Sequence, residues 1–165
     1  MSYDRIPAEL RALKQWVLYD KDKIPYQING AKADVTNPDT WNSFDNIILH
    51  ASSFSGIGLA FSIRDEYTGI DLDYSNEASI VKTHLEIFNS FDSYSEISPS
   101  GKGLHIIVKG TVPSGRRKNK VEVYSSNRYF TMTGNVYNDK PIAERQALLT
   151  QLWEQMGSGI VVPTQ

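Results

Sequence analysis

The feature that most constrains this chain is the way its hydrophobic period changes along its length. Short runs rich in β-branched and aromatic residues, at 15–20, 56–63, 67–73, 94–98, 103–109, 120–125 and 129–133, predict strands. Helical spacing interrupts them. Ile80, Val81, Leu85, Phe88 and Phe91 predict a helix over 77–91, and Leu148, Leu149, Leu152 and Trp153 predict one over 143–156. Residues 7–14 read as a short helix with Pro7 in its first turn, and 43–51 as another with Phe44, Ile47, Ile48 and Ala51 on one side. Residues 21–38 are irregular, with Asn37 or Asp39 placed to cap a turn carrying Trp41, and Arg64-Asp65-Glu66 links two strands. The order is β-β-α-β-β-β-β-α after an α-β-α start. That order predicts an α+β sheet with helices packed on it.

Composition narrows the setting. At 165 residues, 40% hydrophobic and 22% charged, the chain has the make-up of one ordinary soluble domain. No apolar run reaches the roughly 18 residues of a membrane span. Residues 1–22 are broken by charges and hold no apolar signal segment, so the expected location is cytoplasmic, with no membrane partner. Cysteine is absent, which excludes disulfide frameworks, thiolate zinc sites and cysteine nucleophiles, and His50, His84 and His105 have no ligand spacing. Seventeen basic and nineteen acidic side chains leave a formal net charge of −2. A near-neutral total argues against non-specific coating of a phosphate backbone but allows a local basic cleft.

Several stretches carry candidate chemistry. In Thr68-Gly69-Ile70-Asp71-Leu72-Asp73, strand alternation sends both aspartates to one face. Carboxylates about 7 Å apart on one face repel unless a cation lies between them, and Mg2+ or Mn2+ takes oxygen ligands of this kind. The plainer reading has Asp73 capping the following turn and Asp71 simply exposed. The stretch Ser98-Pro99-Ser100-Gly101-Lys102-Gly103-Leu104-His105 can offer N–H groups, hydroxyls and a cation to a phosphate, or be a plain glycine hairpin. It is not a Walker loop, because Glu96 stands where that pattern needs Gly and Gly103 where it needs Ser or Thr. His105 can donate to a phosphate oxygen or sit half-buried in a sheet.

Glu122, between two valines, is a third carboxylate if its strand neighbours that of Asp71, and an exposed strand residue otherwise. Arg128 suits a bidentate phosphate contact, and Thr131 and Thr133 after it share one face. That strand can equally be an edge with solvent-facing polar residues. Arg116, Arg117, Lys118 and Lys120 read as a solvated loop or as one that grips a template backbone.

In that order along the chain, Ile70-Asp71-Leu72-Asp73, the loop ending in His105, and Val121-Glu122 resemble the catalytic core of archaeo-eukaryotic-type primases. More narrowly, they are similar to the primase–polymerase domains of phage and plasmid replication proteins. Leu10-Arg11, Gln15-Trp16-Val17, Lys23-Ile24-Pro25-Tyr26, Asn37-Pro38-Asp39-Thr40-Trp41 and residues 128–134 add to the likeness, which spans roughly 10–134.

The resemblance implies a single catalytic domain over 1–165. A small N-terminal α/β unit, about 1–55, would pack on an RNA-recognition-motif-like sheet, about 56–156, with the site between them. It implies template-directed nucleotidyl transfer from nucleoside triphosphates to a DNA primer, served by two divalent ions about 3.5–4 Å apart. Asp71, Asp73 and Glu122 would be catalytic and hold the metal. Ser98, Ser100, Gly101, Lys102, His105 and Arg128 would bind nucleotide, and Arg116, Arg117 and Lys118 nucleic acid.

Relatives of this type usually carry a helical module and a helicase, which are the expected protein partners. With about thirty residues after Gly134, the expectation is an isolated core or a minimal protein, without a zinc insert. Two other classes draw on the same residues: a non-catalytic replication accessory module that binds nucleotide or nucleic acid, and a metal-dependent nuclease. The three carboxylates favour catalysis over the first. The Ser-Gly-Lys-Gly loop favours a triphosphate over water as the other substrate.

Overall fold

The structure, a computed structural model, describes residues 2–158; Met1 and residues 159–165, the outer ends of the expected domain, lie outside the described residues. A 3-10 turn (Tyr3–Arg5) and α1 (Ala8–Arg11) lead into β1 (Trp16–Tyr19) and the short β2 (Pro25–Tyr26). Asn37 caps a second 3-10 turn, Pro38–Thr40, by accepting the Asp39 N–H, and the turn delivers Trp41 to the interior. Ser43 caps α2 (Phe44–Ile48) in the same manner. Then come β3 (Gly56–Ala60), β4 (Tyr67–Leu72), α3 (Ala78–Phe91), β5 (Ser95–Ile97), β6 (Leu104–Lys109), β7 (Arg116–Lys118) and β8 (Val121–Tyr124). The chain continues through β9 (Tyr129–Met132), β10 (Val136–Asn138), β11 (Ala143–Glu144) and α4 (Gln146–Ser158).

Among the described residues the strands form two sheets. The smaller has the order β2-β1-β3-β9 and the larger β10-β5-β6-β4-β8-β7, both antiparallel, with β11 lying parallel beside β6. The architecture is α+β. Strands from either side of residue 55 build the smaller sheet, since β3 and β9 complete what β1 and β2 begin.

One apolar cluster gathers Trp16, Leu18, Ile57, Leu59 and Phe130 of the smaller sheet, Phe44 and Ile47 of α2, and Tyr67 and Ile107 of the larger. The other packs Ile70, Leu72, Ile106, Val108, Val121 and Val123 against α3 and α4. Alternation decides the rest: with Ile70 and Leu72 turned to the helices, Gly69 and Asp71 face the opposite way.

Some elements differ from the periodic reading. The basic run is an edge strand, β7, joined to β8 by Asn119 and Lys120 with φ of +51° and +64°, the two-residue turn that suits hairpin twist. The last helix begins at Gln146, because Ala143 and Glu144 pair with β6. Helix α3 buries Ile87 and Phe91, while Leu85 is 57% exposed. Val81, Leu85 and Phe88 line an open groove of about 490 Å³ with Leu104 and Tyr137, and of the three Phe88 also packs against the core beneath the helix. Thr131 and Thr133 are buried, not solvent-facing. Among the described residues, no helix is long and apolar enough to cross a membrane.

Candidate active site

Strand register assembles the site. Asp71 on β4 lies directly opposite His105 on β6 to one side and Glu122 on β8 to the other. His105 lies opposite Glu96 on β5, and Glu122 opposite Arg117 on β7. Directly paired residues share a face, so Glu96, His105, Asp71, Glu122 and Arg117 form one row across five strands, on the side away from α3 and α4. Asp73 stands just beyond β4. Its N–H donates to the Lys120 carbonyl at 2.9 Å and its carboxylate accepts the Tyr74 N–H at 2.8 Å. It therefore caps the following turn and also lies close to the row.

Burial, then the charges of Glu122 and Asp73, push Asp71 up to about 7; Lys23 and Arg117 pull partly the other way. His105 is buried, and its Nδ1 lies 3.1 Å from the Thr131 carbonyl. A carbonyl can only accept, so Nδ1 carries the proton and Nε2 faces Asp71 Oδ1 at 3.6 Å. The Phe130 ring backs the imidazole at a centroid distance of 4.5 Å. Desolvation holds the ring's proton affinity below its ordinary value.

The Ser98 to Gly103 loop closes on itself. Ser98 Oγ accepts the Gly103 N–H at 3.1 Å, Ser100 Oγ accepts the Lys102 N–H at 3.2 Å, and Gly101 turns the chain with φ +78° in open space. A Cβ on Gly103 would lie 3.1 Å from the Leu72 carbonyl and 3.7 Å from the Asp73 Cα, so the loop abuts the end of β4. Lys102 is exposed.

On the β8 side of the row, a polar basin of about 520 Å³ is lined by Glu122, Tyr124, Arg117 and Arg128. The Tyr124 hydroxyl donates to Glu122, and burial together with that bond raises the phenol to about 12. Arg128 lies over the Tyr124 ring at 5.1 Å, on the far side of the carboxylates from Lys102. Arg116 also borders this basin, but its guanidinium is engaged elsewhere. Its guanidinium stacks on Trp153 at 3.3 Å and donates to the Trp153 carbonyl. Lys118 is two residues on and shares its strand face.

Three residues with a place here escaped the sequence reading as site residues. Lys23, in the irregular stretch, has left-handed φ of +62°, and its charge is felt at both Asp71 and His105. Its carbonyl accepts the Tyr129 hydroxyl at 2.6 Å. Tyr124 and Glu96 were readable only through two-residue spacing, from Glu122 and from Ser98 respectively.

Among the described residues, no three His, Asp or Glu side chains already converge at metal-ligand spacing. Asp71, Asp73 and Glu122 are nonetheless oxygen donors of the kind that could hold a hard divalent ion. Among the described residues, none of Asp71, Asp73 and Glu122 has a lysine or arginine partner within 4.0 Å, so two carboxylates of the row and one beside it keep oxygen atoms that a cation could take.

No protein-family model matches the chain. It is 36% identical over 154 residues to a DNA primase-polymerase of Nitratiruptor phage NrS-1, an alignment that takes in 82% of this chain and 21% of that protein. The chain thus spans about a fifth of the relative's length. By this likeness, added to the ordered motifs, the chain belongs with the phage primase–polymerase type.

Proposed function

We propose that this domain transfers nucleotidyl groups from nucleoside triphosphates to the 3′-hydroxyl of a primer, directed by a DNA template and dependent on Mg2+ or Mn2+. The observation that carries the reading is the direct pairing of Asp71 with Glu122, with Asp73 at the strand end and the loop ending in His105 alongside. Asp71, Asp73 and Glu122 would hold the ions, which when bound neutralise charge on the attacking oxygen and on the departing pyrophosphate.

The chain's own groups supply the rest. Lys102 offers a mobile point charge to the triphosphate. The hydroxyls of Ser98 and Ser100 and the N–H groups of Gly101 to Gly103 exchange bonds within the loop for bonds to phosphate. His105, its Nδ1 proton held by Thr131, takes up a solvent proton at Nε2 as the polyanion arrives, and the resulting N–H stays on the ring and hydrogen-bonds a phosphate oxygen. Tyr124 orients Glu122. Arg128, across the carboxylates, offers a planar fork to the nucleotide, and Arg117 meets the template strand.

Incubation with a primed template, dNTPs and Mn2+ tests this: the wild-type domain should lengthen the primer, and Asp71→Ala should abolish extension with an unchanged circular dichroism spectrum. Nucleotide binding without extension would identify an accessory module instead. Template cleavage without nucleotide would identify a nuclease.

A further inference from the structure

Glu96 is left without a task by that chemistry, although it belongs to the row. It is 1% exposed and lies on β5 directly opposite His105. Four donors converge on it. Oε1 accepts the Thr133 N–H at 2.8 Å and the Thr133 hydroxyl at 3.2 Å, and Oε2 accepts the Gly134 N–H at 3.1 Å and the Tyr94 hydroxyl. Because one of the two backbone N–H groups falls on each oxygen, the place needs an acceptor at both positions, which an amide in the same place does not supply.

Thr133 and Gly134 form the corner that follows β9. Gly134 has φ +69°, and a Cβ there would strike the Ser2 carbonyl, so the corner has little freedom to rearrange. Two residues earlier, on β9, is Thr131, whose carbonyl holds His105 Nδ1. The bonds between Ile97 and Thr133 or Asn135 also tie the corner to β5, but they join backbone and hydroxyl groups and bring no charge.

We propose that Glu96 is a positioning residue: by anchoring the Thr133–Gly134 corner to β5 it fixes the Thr131 carbonyl against His105 Nδ1, and so keeps Nε2 aimed at Asp71 and the substrate. Its consequence for catalysis rests on the nucleotidyl-transfer reading; its consequence for the His105 tautomer does not.

The test compares wild type with Glu96→Gln, which keeps the shape but sets an amide N–H against the Gly134 N–H. With 15N-labelled histidine at pH 8 and no nucleotide, wild type should show His105 protonated at Nδ1 alone, and the variant a mixture of tautomers. In primer extension, the variant's nucleotide KM should rise about tenfold, the loss of one strong hydrogen bond, with kcat changed much less. A variant that melts earlier but keeps the wild-type tautomer and KM would make Glu96 a structural clasp and overturn the proposal.

If Glu96→Gln does not fold, Thr133→Val, which removes one donor and adds none, is read the same way: a smaller tautomer shift supports the proposal and an unchanged tautomer sinks it. A tautomer shift in a domain that extends no primer keeps the positioning role and discards nucleotidyl transfer. Extension by wild type with no shift in the variant does the reverse.

Discussion

Asp71 shows how a single side chain sets both stability and ion demand. An aspartate in the unfolded chain titrates near 3.9, whereas here burial, Glu122 and Asp73 lift it to about 7. Between those values the native state keeps a proton that the unfolded state has lost. The metal-free protein therefore loses stability through this residue as pH rises from about 4 to about 7, on the order of 2–4 kcal/mol. Asp71→Asn removes that contribution. In urea melts without metal, the difference between wild type and variant should grow across this window, with the variant the more stable at pH 8. Mn2+ at pH 8 should raise the Tm of wild type and not that of the variant. A constant difference across the window would mean that Asp71 is solvated like an ordinary surface aspartate.

At the scale of elements, the three-residue strand β7 sorts a run of like charges by alternation. Arg117 faces the carboxylate row, while Arg116 turns to α4 and stacks on Trp153. Arg117→Ala should weaken binding of a single-stranded template and lower the slope of log K against log salt by about 0.7, one phosphate contact. Arg116→Ala should leave that slope unchanged and lower the melting temperature instead, since it removes a stacked guanidinium and its bond to the helix. Equal salt slopes for the two variants would contradict this sorting.

The same strand marks the limit of what periodicity conveys. The alternation in Ile70-Asp71-Leu72-Asp73 and in Val121-Glu122-Val123 was legible because each residue's face follows from its immediate neighbours. Three basic residues in succession have no apolar member to set a phase. On α3 the apolar spacing at Val81 and Leu85 was real, yet those residues line a groove while Ile87, Phe88 and Phe91 meet the core.

For the whole molecule, the decisive information is register between distant segments, which no local pattern states. The three motifs could be ordered along the sequence, but that Asp71 pairs with Glu122 depends on strand order in the larger sheet, and that Lys23's charge is felt in the row and Thr131 of the other sheet holds His105 depends on how the two sheets meet.

Gly69 is one place where they meet closely. A Cβ there would lie 2.4 Å from Phe130 Cε2 and 2.7 Å from Phe61 Cζ, and the Phe130 ring is the one that backs His105. Gly69→Ala should thus cost about 1–3 kcal/mol by overpacking. It should also raise the nucleotide KM, because displacing Phe130 disturbs His105. Phe130→Leu supplies the missing space, so in a double-mutant cycle Gly69→Ala should cost less in the Phe130→Leu background than in wild type. Strict additivity in urea melts would show that the strain falls elsewhere, and that the contact between the sheets at Gly69 does not govern the imidazole.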